Sequence, residues 1–450
     1  MSADATTAAF RYGYGLPLAP GAPVTPDALL AALAEPDAMA ERFPIMSFAR
    51  SFADISEVAQ NKKAAETDPA LLKRLDELRT GLDRQGYRAI RATIARAVDA
   101  TDSFRERLMA FWADHFTISN GREQALLPHS FAEDCLRPNL AGRFGDMLAA
   151  VVHHPGMLIY LDQTRSAGPN SRSVRKGGKG GLNENLAREL MELHTMGVGA
   201  GYSQTDVRAL ATLLAGLTYG DRQGYRFDAR LVEPGPKTVL GKSYDGKGEA
   251  PIRAFLADLA VHPDTARHIS RKLVVHFLSD TPDPGMVDAM AAEWLQSGGD
   301  LARVYGAMLR HPAAFAGPAA KVRQPFDFLI AALRGIGVTG TGVMGWPRER
   351  LLAVALLPLR AMGQAWKMPL GPDGWPEEIE AWITPQGLAE RIAWAMRWPA
   401  ELGPLPDPKT LAETALADRA SAATLWSVVR AESLAEGVGL VFSSPEFNRR

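Results

Sequence analysis

Cysteine is almost missing from this 450-residue chain, which has one, Cys135. A single thiol excludes an internal disulfide framework and any zinc site built from several thiolates, and it leaves the redox compartment unread. Net charge is missing too. With 50 Lys and Arg against 51 Asp and Glu the formal charge is -1, so recognition by charge has to be local, not a global pull toward nucleic acid or an anionic membrane. No apolar run approaches the ~18 residues of a membrane span. The opening MSADATTAAFRYGYG has no basic stretch followed by an apolar core, so no signal peptide is read and a cytoplasmic location is expected. There is no Gly-x-Ser-x-Gly for a serine nucleophile and no fixed-period repeat for a solenoid.

What is present is alanine and leucine at helical spacing. Residues 28–40, 58–99, 103–116, 144–153, 183–196 and 206–217 read as amphipathic helices, and eight further segments between 251 and 436 do the same, punctuated by proline and glycine. The expected class is all-α: a large, mostly helical body with a small inserted β-hairpin around 225–244. The hairpin is read from Tyr225 to Asp228 and from KTVLGKSY after the turn-forming EPGP. Residues 335–347, GIGVTGTGVMGWP, form the best candidate linker. It divides a main helical domain over 1–335 from a C-terminal helical part over 348–450 that packs on it and is not independent.

The densest chemistry lies in SRSVRKGGKGGLNENLARELMELH, from Ser171 to His194, where a basic glycine-rich loop runs into a helix crowded with carboxylates. A rotation of about 100° per residue puts Glu184, Asn185, Arg188, Glu189 and Glu192 on one arc and Leu186, Ala187, Leu190 and Leu193 on the other. Arg188 is four residues from both Glu184 and Glu192, a spacing that suits a doubly clamped arginine. This pattern has two readings: a solvated face of weak ion pairs, or a site. For the site, Asn183 is the N-cap, free amides at the helix start attract anions, and Arg172, Arg175, Lys176 and Lys179 supply the positive charge. The loop does not match GxxxxGK[ST], which argues against a nucleotide triphosphatase.

His194 falls on the apolar side and reads as a core histidine. Glu189-x-x-Glu192 followed by His194 is not the Glu-x-x-His spacing of di-iron helices. A metal would need ligands from elsewhere, such as Asp114 and His115, His153 and His154, Asp162, or His268 and His276; a divalent cation is a candidate cofactor with unknown ligands. FWADHF is an aromatic stripe with His115 embedded, either a core histidine or a general base at a pocket wall. Ser203 and Asp206 read as a capping box. Lys237 in the hairpin, with Lys321 and Arg323 before Pro325, would add positive charge to the same pocket. The tryptophans of the last third either line a carbohydrate-like groove or belong to the core.

FWADHFTIS, HPGMLIYLDQTRSAGPNS, GLNENLARELMELHTMGVGAGYSQTDVRALATLLAGLTY, EPGPKTVLGK, HPDTARHISRKLVVHF and SSPEFNRR resemble, in order, the successive blocks of the bacterial family called domain of unknown function 1800. The resemblance runs from RYGYG to the last residues. It implies a largely helical fold with no settled activity, often exported. It also implies a genetic neighbour in a second uncharacterised family (number 1501) of sulfatase-like or phosphatase-like appearance, and hence envelope-related work on a polymer or anionic substrate with a protein partner. Two departures stand out. The usual export signal is not evident, which leaves a periplasmic or exported location open, and Val232 stands where many members carry a histidine.

Two functions follow as expectations. In the first the chain is an enzyme or enzyme partner acting on an anionic or polyhydroxylated substrate. Glu189 or Glu192 is the base or cation ligand, Arg188 a fixed charge, and His115 a further catalytic candidate; Arg172, Arg175, Lys176, Lys179, Asn183, Asn185 and Lys237 bind substrate. In the second it is a non-catalytic helical adaptor docking a sulfatase-like or phosphatase-like partner. Nucleic-acid binding is disfavoured because no stacking aromatics flank the basic loop.

Overall fold

The structure is a computed structural model that describes residues 3–119, 126–178, 180–220, 224–317 and 320–450. It is all-α apart from two small antiparallel hairpins. The longest helix, α1 (Pro69–Asp99), starts where Asp68 accepts hydrogen bonds from the Ala70 and Leu71 amides and Pro69 presets the first turn. Its N-terminal half buries only Leu75. From Gly86 to Val98 its residues are largely buried.

After a short turn, α2 (Ser103–His115) is capped by Asp102 through the Arg105 amide. Its two faces differ. Phe104, Leu108, Phe111, Trp112 and His115 lie on one side, while Glu106, Arg107, Ala110, Ala113 and Asp114 share the opposite arc, as 100° per residue requires. α3 (Asn185–Glu192) and α4 (Gln204–Leu214) follow, the second begun by the expected capping box of Ser203 and Asp206.

The strand region holds two hairpins where one was expected. β1 (Leu217–Gly220) pairs with β2 (Gly224–Phe227), and β3 (Lys237–Val239) with β4 (Lys242–Tyr244). Tyr225 therefore finds its partner upstream, at Tyr219, and EPGP connects two hairpins without turning within one. Val232 packs against Gly216 beside the first of them.

Two further helices complete the frame of the site. α5 (Pro263–Phe277) opens with the His262 side chain accepting from the Asp264 amide, and α6 (Pro325–Gly335) is buried along most of its length. The apolar interior divides into two large clusters. One gathers Trp112, Phe144, Leu190, Phe277 and Trp294; the other joins Ile90 to Val98 of α1 with Phe328, Trp394 and Phe442. Buried indoles are satisfied: Trp112 donates to the Tyr305 hydroxyl at 2.7 Å, Trp294 to Ala260 O at 2.9 Å, and Trp394 to Val354 O at 2.8 Å. The glycine-rich 335–347 segment carries a short helix, Gly340–Met344, seated on α1 so closely that a side chain at Gly340 would meet Ala95 O.

Candidate functional site

α3 is built as its periodicity demands. Leu186, Ala187, Leu190 and Met191 are buried, and the polar arc faces out. Arg188 reaches Glu184 at 3.3 Å, Glu192 at 3.4 Å and the Gln204 amide oxygen at 3.1 Å, so its guanidinium is already occupied. All three charged groups are about a third exposed, where such pairs contribute roughly 0.3–0.5 kcal/mol each. Glu189 differs. Half-buried, its carboxyl is pushed up first by burial, then by the like charges of Glu192 and Asp373, with Arg188 opposing.

Asn183 serves the backbone. Its Oδ1 accepts from the Asn185 amide at 2.8 Å, and its Nδ2 donates to the carbonyls of Asp162 at 3.0 Å and Leu161 at 3.3 Å. Asn185 itself is exposed. The basic segment forms a one-turn helix, Arg172–Arg175, pinned by the Ser173 amide on Arg230 O at 2.9 Å and the Gly168 amide on Leu231 O at 2.8 Å. Arg172, Arg175 and Lys176 are exposed, and Lys179 lies outside the described residues. Among the described residues no hydrogen bond or ion pair joins this segment to Glu189 or Glu192. Lys237 is tied to the Glu233 and Gly235 carbonyls and clips the turn before β3.

His115 is buried at the end of α2. Its Nε2 lies 3.2 Å from His194 O, its ring stacks on Phe111, and Trp112 and Phe116 meet it edge-on. Burial, helped by the Lys272 charge, drives its pKa well below the usual value, so it is neutral. His194, buried beside Phe116, is lowered to about 3 by the same causes.

The adjacent residue turns the other way. Asp114 sits on the opposite arc of α2 and accepts the Trp375 amide at 3.0 Å and 3.2 Å on its two oxygens. Gly374, at φ 84°, permits this approach, because a Cβ there would stand 2.8 Å from the carboxylate. Burial pushes the Asp114 pKa up to about 7; the Trp375 hydrogen bond opposes, Glu377 adds to the rise, and Lys272 and Lys367 oppose it.

α5 delivers His268, Lys272 and His276 four residues apart on one face. Lys272 is half-buried, and its pKa is lowered by burial against the pull of Asp114, Glu377 and Asp373. Lys367 is likewise lowered by burial and drawn up by Asp114. Among the described residues neither ammonium forms a hydrogen bond or a close ion pair. Lys367 also has φ 50°, a left-handed conformation that costs a non-glycine residue on the order of 1 kcal/mol and is typical of functional loops.

Behind them a buried network fixes the geometry. His276 donates from Nδ1 to Glu377 and accepts at Nε2 from Arg107 at 3.1 Å, which sets its tautomer. Glu377 also meets Lys321 at 3.2 Å, and the carboxyl is held down at about 2; burial opposes this, while the partners His276 and Lys321 favour it. Arg107 in turn pairs with Asp327.

Asp114, Arg107, His276 and Lys367 border a cavity of about 130 Å³ with Trp366 and Trp375 at its rim. Asp373 is exposed, and its charge acts on both Lys272 and Glu189, while neither Glu189 nor Lys272 lines the cavity. Among the described residues no three His, Cys, Asp or Glu side chains stand where they could hold one metal ion.

Sequence reasoning named Asp114 only as a stray metal ligand and missed Lys272, Lys367, Asp373 and Glu377. One signal was available. A polar stripe four residues apart in HPDTARHISRKLVVHF interrupts an otherwise apolar helix face. Lys367 and Glu377 had none, being placed by a proline- and glycine-rich loop.

A family model described as "Protein of unknown function (DUF1800)" matches residues 13–449. No curated protein and no solved structure matches the chain.

Proposed function

The chain belongs to the DUF1800 family, and on that premise we propose that it is an acid–base enzyme acting on an anionic or polyhydroxylated substrate, with Asp114 as the proton-transferring group. One observation carries the reading: Asp114 borders a cavity together with Lys367, its carboxyl is raised by burial to about 7, and it feels the charges of Lys367 and Lys272, neither of which has a hydrogen-bond or ion-pair partner among the described residues. Such a group is half ionised at neutral pH, so it can take a proton from a substrate and return it. Lys272 and Lys367 supply fixed positive charge for an anionic substrate group, or for negative charge that develops during the reaction. The Glu377–His276–Arg107 chain holds the wall rigid. Glu189, its carboxyl raised by burial and by the charge of Glu192, is a second acid, on α3.

Carbon-detected NMR of the Asp carboxyls over pH 3–9 tests this. The expected result is one resonance titrating near 7 that disappears in Asp114→Asn; a titration near the ordinary value of about 3.9 removes Asp114 from the role.

The adaptor reading keeps one observation in its favour. Arg172, Arg175 and Lys176 are exposed on a segment anchored by backbone bonds, the arrangement of a docking element for an acidic protein face, such as the sulfatase-like or phosphatase-like partner that the resemblance implies. The two readings use different surfaces and can both hold.

A further inference from the structure

We propose that the cavity beside Asp114 binds a small organic monoanion with a compact apolar body, its carboxylate seated on the Lys367 ammonium. This rests on the acid–base reading for its chemistry, and on the cavity wall for its specificity.

The cavity, of about 130 Å³, has an apolar wall of Met109, Ala110, Ala113, Ile118, Phe326 and Leu359, and the uncharged polar side chains that share its lining are engaged within the protein: Tyr14 on Glu106 O, Thr93 on Ala89 O, Thr117 on Asp114 O, and Gln364 on Gln324 and the Phe326 amide. The apolar side chains offer no hydrogen bond, and the polar ones already hold partners. A polyol would leave hydroxyl groups unpaired against them, so the wall separates the two substrate classes and favours the anion with an apolar remainder.

The charged groups that reach the cavity are mostly spent. Arg96 is bidentate on Glu133, Arg107 is paired with Asp327, and Arg137 is shared by Glu106 at 2.9 Å, Asp37 at 2.7 Å and Glu133 at 3.2 Å. Lys367 is the one lining cation, among the described residues, without such a partner. It therefore offers one positive charge for one negative charge.

The loop is held so that Lys367 keeps its place. Trp366, the preceding residue, donates from its indole to His129 Nε2 at 3.1 Å, stacks on that ring at 5.9 Å and meets Phe326 edge-on at 5.5 Å. His129 is neutral, lowered to about 3 by burial, so it can accept this bond across the physiological range. A bound carboxylate would lie between Lys367 and Asp114, and its negative charge would favour the protonated form of Asp114, coupling occupancy of the cavity to the proton-donating state.

Isothermal titration calorimetry on the full chain tests the proposal with acetate, butyrate and benzoate, with benzyl alcohol as the uncharged analogue and inorganic phosphate as charge without apolar body. Saturable 1:1 binding of butyrate or benzoate is expected, at least tenfold tighter than benzyl alcohol and than phosphate. Lys367→Met should remove that tenfold preference and leave benzyl alcohol unchanged. Ala110→Leu, which adds volume to the wall, should weaken acid and alcohol alike; circular dichroism melts confirm that both variants fold. The proposal is overturned if no carboxylate saturates, if benzoate and benzyl alcohol bind equally, if phosphate binds as tightly as benzoate, or if Lys367→Met leaves the preference intact. Binding as expected with Asp114 titrating near its ordinary value would overturn only the acid–base reading. Absent binding with Asp114 titrating near 7 would overturn only this one.

Discussion

At the scale of single residues, Asp114 carries a cost that depends on pH. Its pKa is about 7 in the fold and ~3.9 in an unfolded chain, so the folded protein holds the proton more tightly. Below about pH 4 both states are protonated and nothing is lost. Between about pH 4 and 7 the unfolded chain gains by ionising, and above 7 the loss is constant, of order 2–4 kcal/mol once solvent at the cavity rim is allowed for. Burial sets this window, the Trp375 hydrogen bond and the charges of Lys272 and Lys367 narrow it, and the charge of Glu377 widens it. Asp114→Asn keeps an acceptor for the Trp375 amide and cannot ionise, so urea denaturation should find it more stable than the parent at pH 8 and equal to it at pH 3.5. Equal stability at both values would mean that the carboxyl is not raised. Much of this residue-level picture was open to sequence. The spacing of Glu184, Arg188 and Glu192 gave their ion pairs, and the aromatic stripe of FWADHF allowed for a buried His115, but Asp114 and His115 were grouped as metal ligands although they face opposite sides of α2. What it could not give was Asp114's neighbours, since burial and the approach of Gly374 come from a loop 260 residues further along the chain.

At the scale of elements, helices were legible because their caps and periods are local. The Ser203 capping box and the buried stripe of α3 appear where their residues predict, and α2 starts at Ser103 as expected. Strand pairing was less so, because Tyr225 and its neighbours are equally good strand formers toward either side, and the choice of β1 as partner depends on packing. α1 is read differently along its length. Its first half rests on a small cluster of Val58, Ala65 and Leu75, whereas its second half enters the large cluster around Phe328 and Trp394. Local opening free energy follows such contact differences. Hydrogen exchange followed by mass spectrometry should therefore show amides at 72–84 exchanging at least tenfold faster than those at 88–98, though they belong to one continuous helix. Uniform protection along α1 would show that the small cluster is as firm as the large one.

At the scale of the whole molecule, the two apolar clusters meet across charge. Arg107 of α2, in the first cluster's helix, and Arg450 both converge on Asp327 of α6, with Arg450 at 3.1 Å; the Arg323 amide bonds Asn448 O and the Arg450 amide bonds Lys321 O, each at 2.9 Å. Arg391 completes the seam through Arg323 O at 2.7 Å and Asn448 Oδ1 at 2.9 Å. A sequence shows none of this, because the partners lie 57 to 220 residues apart and no local pattern pairs one with another. Their burial makes them decisive: removing one member leaves the others charged and unpaired in a dry interior, which costs about 3–5 kcal/mol, whereas an exposed pair such as Arg188 with Glu192 costs well under 1. Asp327→Ala should therefore lower stability to urea by several kcal/mol, and Glu192→Ala should leave it nearly unchanged. The same seam joins helices from either side of residues 335–347, so the C-terminal helices should not hold by themselves. Asp327→Ala is expected to unfold both clusters in one transition, followed by tryptophan fluorescence and far-ultraviolet circular dichroism together. Two separated transitions would show that each cluster stands alone and that the charges between them orient the cavity without holding the body together.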